Sequence, residues 1–163
     1  MDRLWTPWRY RYVSTAAPDG ACIFCEKAAS SDDRGNYIVL RAERNFAILN
    51  MYPYTSGHLM IVPYEHVATL GGAPQETLQE MMRLTARAEH ALRGLYNPDG
   101  LNIGMNVGEA AGAGVAGHIH MHVLPRWSGD VSFMTTISET RVLPETLERT
   151  YERLKAALSA TGT

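Results

Sequence analysis

The 163 residues of the chain fit one domain, and a domain of this length buries roughly 70% of the surface of its unfolded chain. Its 15 basic and 17 acidic residues give a formal charge of -2, which argues against the basic stripe of a nucleic-acid-binding protein. No run approaches the ~18 uninterrupted apolar residues of a membrane helix, and the N-terminus lacks the apolar segment of a secretory signal. We therefore expect a single cytoplasmic domain, spanning 1–163, with no membrane or nucleic-acid partner.

Residues 1–20 form an arm that is rich in aromatic and arginine side chains, among them Trp5, Trp8, Arg9 and Tyr10. Aromatic side chains bury large areas, so we expect this arm to pack on the domain or on a second subunit. Stacking on nucleic acid is the weaker interpretation, because the concentration of basic residues ends with the arm.

Cys22 and Cys25 form a Cys-x-x-Cys pair. They are interpreted either as two small buried side chains near a turn or as half of a tetrahedral zinc site that needs two more ligands. A redox pair of the thioredoxin kind would need a βαβ context, which the following residues do not supply.

Three apolar segments at 37–40, 46–50 and 58–63 predict strands joined by short connections. Short connections favour an antiparallel meander. The segments 101–108 and 118–126 predict a fourth and a fifth strand, and 131–136 a further short one. Between the fourth and fifth strands lies a Gly/Ala-rich loop, 109–117, whose small residues let backbone amides approach an anionic ligand.

Two segments predict amphipathic helices that pack on this sheet. The first spans 74–96, and its residues at helical spacing are Leu78, Met81, Met82, Thr85, Ala88, Leu92 and Leu95. The second is the C-terminal helix, 144–160, with the stripe Leu147, Tyr151, Leu154 and Leu158. The expected fold is α+β: an antiparallel sheet of about five strands with one long helix and a C-terminal helix.

His118, His120 and His122 alternate with apolar residues, so on a strand the three imidazoles share one face. Three interpretations are open. The histidines are buried for structural reasons, or they are ligands of a hydrolytic metal centre for which Glu109 is the nearby carboxylate. In the third, the central imidazole attacks phosphorus while its neighbours donate protons.

The segment 118–124 reads His-φ-His-φ-His-φ-φ, where φ is apolar, and resembles the signature of the histidine triad family of nucleotide hydrolases and transferases. The resemblance continues at 49–63, around Asn50 and His58, and at 106–108. The opening 4–9 and the segment 123–127 resemble the bacterial branch related to diadenosine tetraphosphate phosphorylases.

This resemblance implies nucleotidyl transfer or phosphorolysis of dinucleoside polyphosphates through a nucleotide covalently bound to His120. His122 would contact phosphates and assist the leaving group, and His58 would support the triad. The alternatives are a hydrolase of dinucleoside polyphosphates or AMP-linked phosphoramidates, and a nucleotide-binding regulatory module with little turnover. The resemblance also implies a homodimer whose sheets join side by side.

The same resemblance implies the positions that bind nucleotide. Asn50 would bind ribose, and other positions would lie near the base or the phosphates: Phe46, Ile48, Leu49, Asn106, Gly112 and Gly114. Some hydrolases of the family carry Gln where Asn106 aligns and a hydroxyl residue near Gly114. Whether water or phosphate accepts the nucleotide therefore stays open at the sequence level.

Several branches of the family bind a structural zinc, and the matching positions here are Cys22, Cys25, His66 and His118. Two cysteines and two histidines form a closed tetrahedral set, which would brace the N-terminal segment against the catalytic strand. The alternative is two buried cysteines and a surface His66. No cofactor is expected for the chemistry itself.

Overall fold

A computed structural model of the protein describes residues 21–130 and 144–160. The N-terminal arm and the strand expected at 131–136 lie outside these residues. The described helices are α1, Ile23–Ala29, α2, Gln75–Tyr96, and α3, Leu147–Ala160. The strands are β1, Ile38–Arg41, β2, Asn45–Leu49, β3, Leu59–Pro63, β4, Gly100–Gly104, and β5, Met121–Arg126. Short 3-10 helices occupy Leu70–Gly72 and Glu109–Ala111.

The five strands form one sheet in the order β1-β2-β3-β5-β4, and every neighbouring pair is antiparallel. This confirms the α+β fold and the five-stranded antiparallel sheet. Phe46 of β2 lies opposite Val62 of β3, and Met60 of β3 lies opposite His122 of β5. The register therefore places β3 directly beside the histidine segment.

The two faces of the sheet bury different sets of side chains, because successive residues of a strand point to opposite faces. Helices α2 and α3 cover one face, and the core between them and the sheet includes Ala47, Leu49, Leu59, Ile61, Ile119 and Val123. On the other face, α1 contributes Phe24 to a smaller cluster with Ile38, Phe46, Ile48, Met60 and Val62.

Helix α2 confirms the predicted long helix, with Pro74 directly before it and Asn97 ending it in the left-handed conformation at φ 42°. The expected place of Met82 in the apolar stripe is wrong, since its side chain is 56% exposed. Met81 and Leu84 are buried instead. Adjacent residues of a helix lie about 100° apart, so one of two consecutive methionines turns away from the sheet.

Glu80 ties α2 to the turn between β1 and β2, a contact that periodicity did not predict. Its carboxylate accepts hydrogen bonds from the backbone N–H groups of Glu43 and Arg44 and from Nδ2 of Asn45. Asn45 Nδ2 also donates to the carbonyl of Thr77. The buried amide and carboxylate fix the position of the helix relative to the hairpin.

Helix α3 begins at Leu147, three residues later than the predicted start of the C-terminal helix at 144. Its Tyr151, Leu154 and Leu158 are buried as expected. Within the described ranges, 21–130 and 144–160, no helix has both the length and the apolar composition that a bilayer crossing requires.

Two strand boundaries differ from the prediction. Strand β4 ends at Gly104 rather than at 108, and β5 begins only at Met121, so that His118 and His120 precede it. Gly108, at φ 86°, turns the chain into the 3-10 helix, and the backbone N–H of Ile119 donates to the carbonyl of Val67 rather than to a neighbouring strand. Irregular backbone therefore carries two of the three histidines.

Candidate active site and metal centre

His120 is 4% exposed and lies on the face of the sheet that α1 covers. Its Nδ1 lies 2.8 Å from the carbonyl oxygen of His118. A carbonyl can only accept a hydrogen bond, so Nδ1 carries the proton and Nε2 keeps its lone pair. Burial lowers the pKa of His120 below its ordinary value of 6.5, against the opposing effect of this hydrogen bond. The neutral imidazole near pH 7 has the nucleophilic form that covalent catalysis needs.

His58 and His122 are joined by a hydrogen bond of 2.9 Å between Nε2 of His58 and Nδ1 of His122. The backbone N–H of Tyr54 donates to Nδ1 of His58 at 3.2 Å, so neutral His58 carries its proton on Nε2. His58 then donates to His122, whose own proton resides on Nε2. The ring centroids of His122 and His120 lie 4.9 Å apart. The arrangement places an N–H donor, His122, beside the imidazole of His120.

Asn50 lies between β2 and the loop before β3. Its Oδ1 accepts the backbone N–H of Tyr52 at 2.9 Å, and its Nδ2 lies 3.4 Å from Nδ1 of His58. The ring of Tyr54 packs on that of His58 with centroids 4.9 Å apart. The residue expected to bind ribose therefore contacts the histidine that orients His122.

Cys22, Cys25, His66 and His118 come together at the start of α1, and one potential ligand atom from each lies within 4.8 Å of all the others. Cys22 Sγ lies 3.3 Å from Nδ1 of His118, and Cys25 Sγ lies 3.4 Å from Nδ1 of His66 and 3.7 Å from Nδ1 of His118. Three chain segments thus converge on one point.

These four side chains fit a zinc ion. Zinc binds thiolate sulfur at about 2.3 Å and imidazole nitrogen at about 2.0–2.1 Å, so neighbouring sulfur and nitrogen ligands of a tetrahedron lie about 3.5 Å apart. Three of the four sulfur–nitrogen separations in the set, 3.3, 3.4 and 3.7 Å, match this value. The set is closed, with two sulfurs and two nitrogens, as in structural rather than catalytic zinc sites.

His118 has the tautomer that a metal ligand requires. Its Nε2 lies 2.9 Å from the carbonyl oxygen of Pro63, so Nε2 carries the proton and Nδ1 presents a lone pair to the cysteines. Burial lowers the pKa of His118, partly offset by that hydrogen bond, and the neighbouring His66 and His120 lower it further. His118 is fully buried and neutral, and its backbone carbonyl is the group that binds His120.

The residues expected near the base divide between the two faces of the sheet. Phe46 and Ile48 lie on the triad side in the cluster with Phe24, where Phe46 packs on Tyr64 with ring centroids 5.4 Å apart. Leu49 lies in the helix-side core and is 1% exposed. The structure therefore brings Phe46 to the same face as the histidines and does not bring Leu49 there.

The Gly/Ala loop folds on itself. Nδ2 of Asn106 donates to the carbonyl of Gly112 at 3.4 Å, and Gly112 has a φ of 87°, a conformation that favours glycine. Gly114 and Glu109 are exposed. The loop reaches the triad face through Val115, which packs against the Phe24 cluster.

Three contributions to the site escaped the sequence reasoning. Phe24 packs on the rings of both His118 and His120, with centroids 5.5 and 5.0 Å away. The other two are backbone groups, the N–H of Tyr54 and the carbonyl of Pro63, which set the tautomers of two histidines. The contribution of a backbone group cannot be identified from the residue types in a sequence. The only sequence feature that could have pointed to Phe24 is its position between the two cysteines.

Comparison with known proteins agrees with this geometry. The family model of the HIT domain matches residues 34–129, more than half of the chain. Over 160 residues the chain is 39% identical to proteins named AP-4-A phosphorylase in two strains of Mycobacterium tuberculosis, covering 92% of this chain and 80% of theirs.

Solved structures give the same result. A zinc-bound histidine triad family protein from Mycobacterium smegmatis is similar with a TM-score of 0.70 and 34% identity, over 86% of this chain and 94% of that one. A hypothetical histidine triad nucleotide-binding protein from Sulfolobus tokodaii has a TM-score of 0.66 and 26% identity, over 85% and 93% of the two chains. The chain belongs to the HIT domain family, the family of histidine triad proteins.

Proposed function

We propose that this protein is a nucleotidyltransferase that cleaves dinucleoside polyphosphates, of which diadenosine tetraphosphate is the model, by transfer of a nucleotide to phosphate. The observation that carries the proposal is the hydrogen bond from Nδ1 of His120 to the carbonyl of His118, which leaves a neutral Nε2 as nucleophile. The 39% identity to AP-4-A phosphorylases supports the choice of substrate class.

In the first step, Nε2 of His120 attacks the α-phosphorus of one adenosine. The bond from that phosphorus to its bridging oxygen breaks, and ATP leaves. The new imidazolium keeps its Nδ1 proton, and the carbonyl of His118 stabilises the positive charge. His122 stabilises the leaving oxygen with a hydrogen bond from its Nε2–H, which stays on the ring, and His58, hydrogen-bonded to His122 Nδ1, holds that ring in place.

In the second step, an oxygen of inorganic phosphate attacks the same phosphorus. The bond between nitrogen and phosphorus breaks, ADP leaves, and His120 returns to its neutral form. Asn50 is assigned to the ribose, Phe46 to the base, and the backbone amides around Gly112 and Gly114 to the phosphate charges. Leu49 is left out of this assignment because it faces the helix-side core.

We assign a structural zinc to Cys22, Cys25, His66 and His118. The match of the sulfur–nitrogen distances to a tetrahedral set supports this, as does the zinc-bound relative. The ion would supply no chemistry to the reaction; the four residues that would hold it belong to the start of α1, the loop after β3 and the segment before β5, and would tie these together. These four residues orient the backbone on which His120 stands.

We also propose a homodimer that forms along β4. Among the strands that the structure describes, β4 is at the edge of the sheet, with β5 as its neighbour, and its Asn102, Ile103 and Gly104 are exposed. The side chain of Ile103 is 44% exposed. An edge strand with an exposed apolar side chain is suited to pair with a second sheet.

Product analysis tests the reaction. The protein is incubated with diadenosine tetraphosphate, with and without inorganic phosphate, and the nucleotides are separated. Phosphate-dependent formation of ADP and ATP in equal amounts is expected. AMP and ATP at the same rate in both conditions would instead indicate a hydrolase. Binding of the substrate without turnover in either condition would indicate a regulatory nucleotide-binding module.

A further inference from the structure

We propose that Cys22 and Cys25 form a reversible oxidation site, and that their conversion to a disulfide releases the zinc ion and disengages His120. The inference rests on the proposed function, since it assigns regulation to the zinc cluster and to the nucleophile. It makes the Cys-x-x-Cys pair a redox-sensitive element rather than a purely structural one.

The geometry of the pair suits oxidation. Both cysteines are free and half-buried, and they belong to one group whose ligand atoms lie within 4.8 Å of one another. Cys22 immediately precedes α1 and Cys25 lies in its first turn, so both thiols stand at the same helix end. Cys25 contacts the exposed His66 at 3.4 Å, which leaves one side of the cluster facing solvent. A small oxidant therefore has a route to the sulfurs.

The cluster is linked to the nucleophile by two short paths. Nδ1 of His118 faces Cys22 at 3.3 Å, and the carbonyl of the same residue binds Nδ1 of His120 at 2.8 Å. Phe24, between the two cysteines, packs on the rings of His118 and His120. A disulfide removes two of the four metal ligands and draws Cys22 and Cys25 together at the start of α1. It therefore changes the contacts that hold His118 and His120.

The reaction balances with a peroxide as oxidant. One thiolate attacks a peroxide oxygen to give a sulfenic acid and hydroxide, and the second thiolate attacks that sulfur and releases a second hydroxide. The two sulfurs lose two electrons in total, the peroxide gains them, and two protons from solvent convert the hydroxides to water. The zinc ion leaves as a hydrated cation. A dithiol reductant reverses the step by thiol–disulfide exchange.

The experiment uses the full-length, reduced, zinc-loaded protein and hydrogen peroxide in small excess. Three quantities are followed together: free zinc with a chromogenic chelator, free thiols with a chromogenic thiol reagent, and turnover of diadenosine tetraphosphate. The chain contains two cysteines, so the thiol count falls from two to zero. We expect zinc release and a fall in turnover of about 10- to 100-fold, both reversed by dithiothreitol with added zinc.

Cys25→His is the matched variant, because it keeps a zinc-binding side chain while removing the partner thiol. It should retain zinc under peroxide and keep the turnover that it has before treatment. If it fails to bind zinc, Cys22→His serves the same purpose. Two results with the wild-type protein would overturn the inference, whichever variant is used. One is inactivation while two thiols are still present. The other is disulfide formation and zinc release with turnover unchanged.

A separate readout distinguishes failure of this inference from failure of the proposed function. If the reduced protein does not turn over the substrate, the proposed function is wrong, but the nitrogen NMR signals of His120 still report on its tautomer. In the reduced protein we expect a protonated Nδ1, and in the oxidised protein tautomer exchange. An unchanged His120 signal after complete zinc release would contradict the link between cluster and nucleophile.

Discussion

The carbonyl oxygen of His118 accepts a hydrogen bond from Nδ1 of His120 at 2.8 Å, while the imidazole of His118 faces the two cysteines. One residue thus contributes its side chain to the cluster of Cys22, Cys25 and His66, and its backbone carbonyl to the hydrogen bond of His120. The three histidines of the triad are therefore unequal. His118 serves the cluster, His120 has the nucleophilic tautomer, and His122 belongs to a hydrogen-bonded pair with His58.

Replacement of the nucleophile tests the assignment of His120. His120→Ala should lower turnover of diadenosine tetraphosphate by roughly 10⁴-fold or more, because among the three triad histidines only His120 has the tautomer with an unprotonated Nε2. His90→Ala is the control, since His90 is exposed on α2 and should leave turnover unchanged. Steady-state kinetics on both variants measures the difference, and appreciable activity in His120→Ala contradicts the assignment.

His58 is predicted to position His122 rather than to react. His58→Ala removes the hydrogen bond that fixes the tautomer of His122, so kcat should fall by about 10- to 100-fold while KM changes little. Circular dichroism checks that the fold is intact. A rise in KM at constant kcat would instead assign His58 to substrate binding.

Zinc removal should destabilise the protein. A ligand present at about 100 times its Kd stabilises the folded state by about 2.7 kcal/mol, which corresponds to a fall in Tm of roughly 5–10 °C on chelation. Metal analysis should find about one zinc per chain, for the one cluster found among the described residues. Chelator should leave the Tm of Cys22→Ala unchanged, and a wild-type Tm that does not respond would rule out a structural ion.

Glu80 should make stability dependent on pH. Burial alone would raise its pKa, but hydrogen bonds from Asn45 and from the backbone of Arg44 and Glu43 outweigh burial and lower it below 4.5. The folded-state pKa is thus below the unfolded one, so this stabilisation is complete above pH 4.5 and is lost as the pH falls through the folded pKa.

Glu80→Gln should therefore cost about 1–3 kcal/mol at pH 7, because its amide group cannot accept every donor. The difference from wild type should shrink as the pH falls below 4.5. Denaturant unfolding across this range measures it, with the exposed Glu76→Gln on the same helix as control. A difference that does not vary with pH would mean that the carboxylate charge plays no part.

The proposed dimer makes a prediction at the sheet edge. Ile103→Asp places a charge on β4, where the second sheet would pair, and should shift the protein to monomer in light scattering. Leu70→Asp is the matched control, because Leu70 is similarly exposed, at 46%, but lies in the 3-10 helix between β3 and α2 and not on β4. Dissociation by both variants, or by neither, would place the interface elsewhere.

Apolar patterning was enough to predict the strands at 46–50 and 58–63 and the long helix, because each buries a regular set of side chains. It did not predict that β4 ends at Gly104 and that β5 begins only at Met121, since the backbone between them is irregular and includes the turn at Gly108. It also missed α1, seven residues long, whose stability depends on packing of Phe24 rather than on its own periodicity.

The contributions of side chains to the site could be predicted from the sequence, whereas the contributions of backbone groups could not. The resemblance of 118–124 to the triad signature brought in His58 and the zinc partners of the two cysteines, and the structure places these residues together. The amide of Tyr54 and the carbonyl of Pro63 were not predictable, because their role depends on where the loop and strand pass. Leu49 was assigned without regard to strand alternation, which directs it to the helix side.

The most direct test of the central claim is to trap the covalent intermediate. The protein is mixed with diadenosine tetraphosphate without inorganic phosphate, quenched in base, where a bond between phosphorus and histidine survives, and digested for mass spectrometry. We predict one AMP on the peptide that contains His120, lost on addition of phosphate with formation of ADP. Phosphate-dependent ADP formation in rapid-quench samples that never contain this adduct would contradict the account.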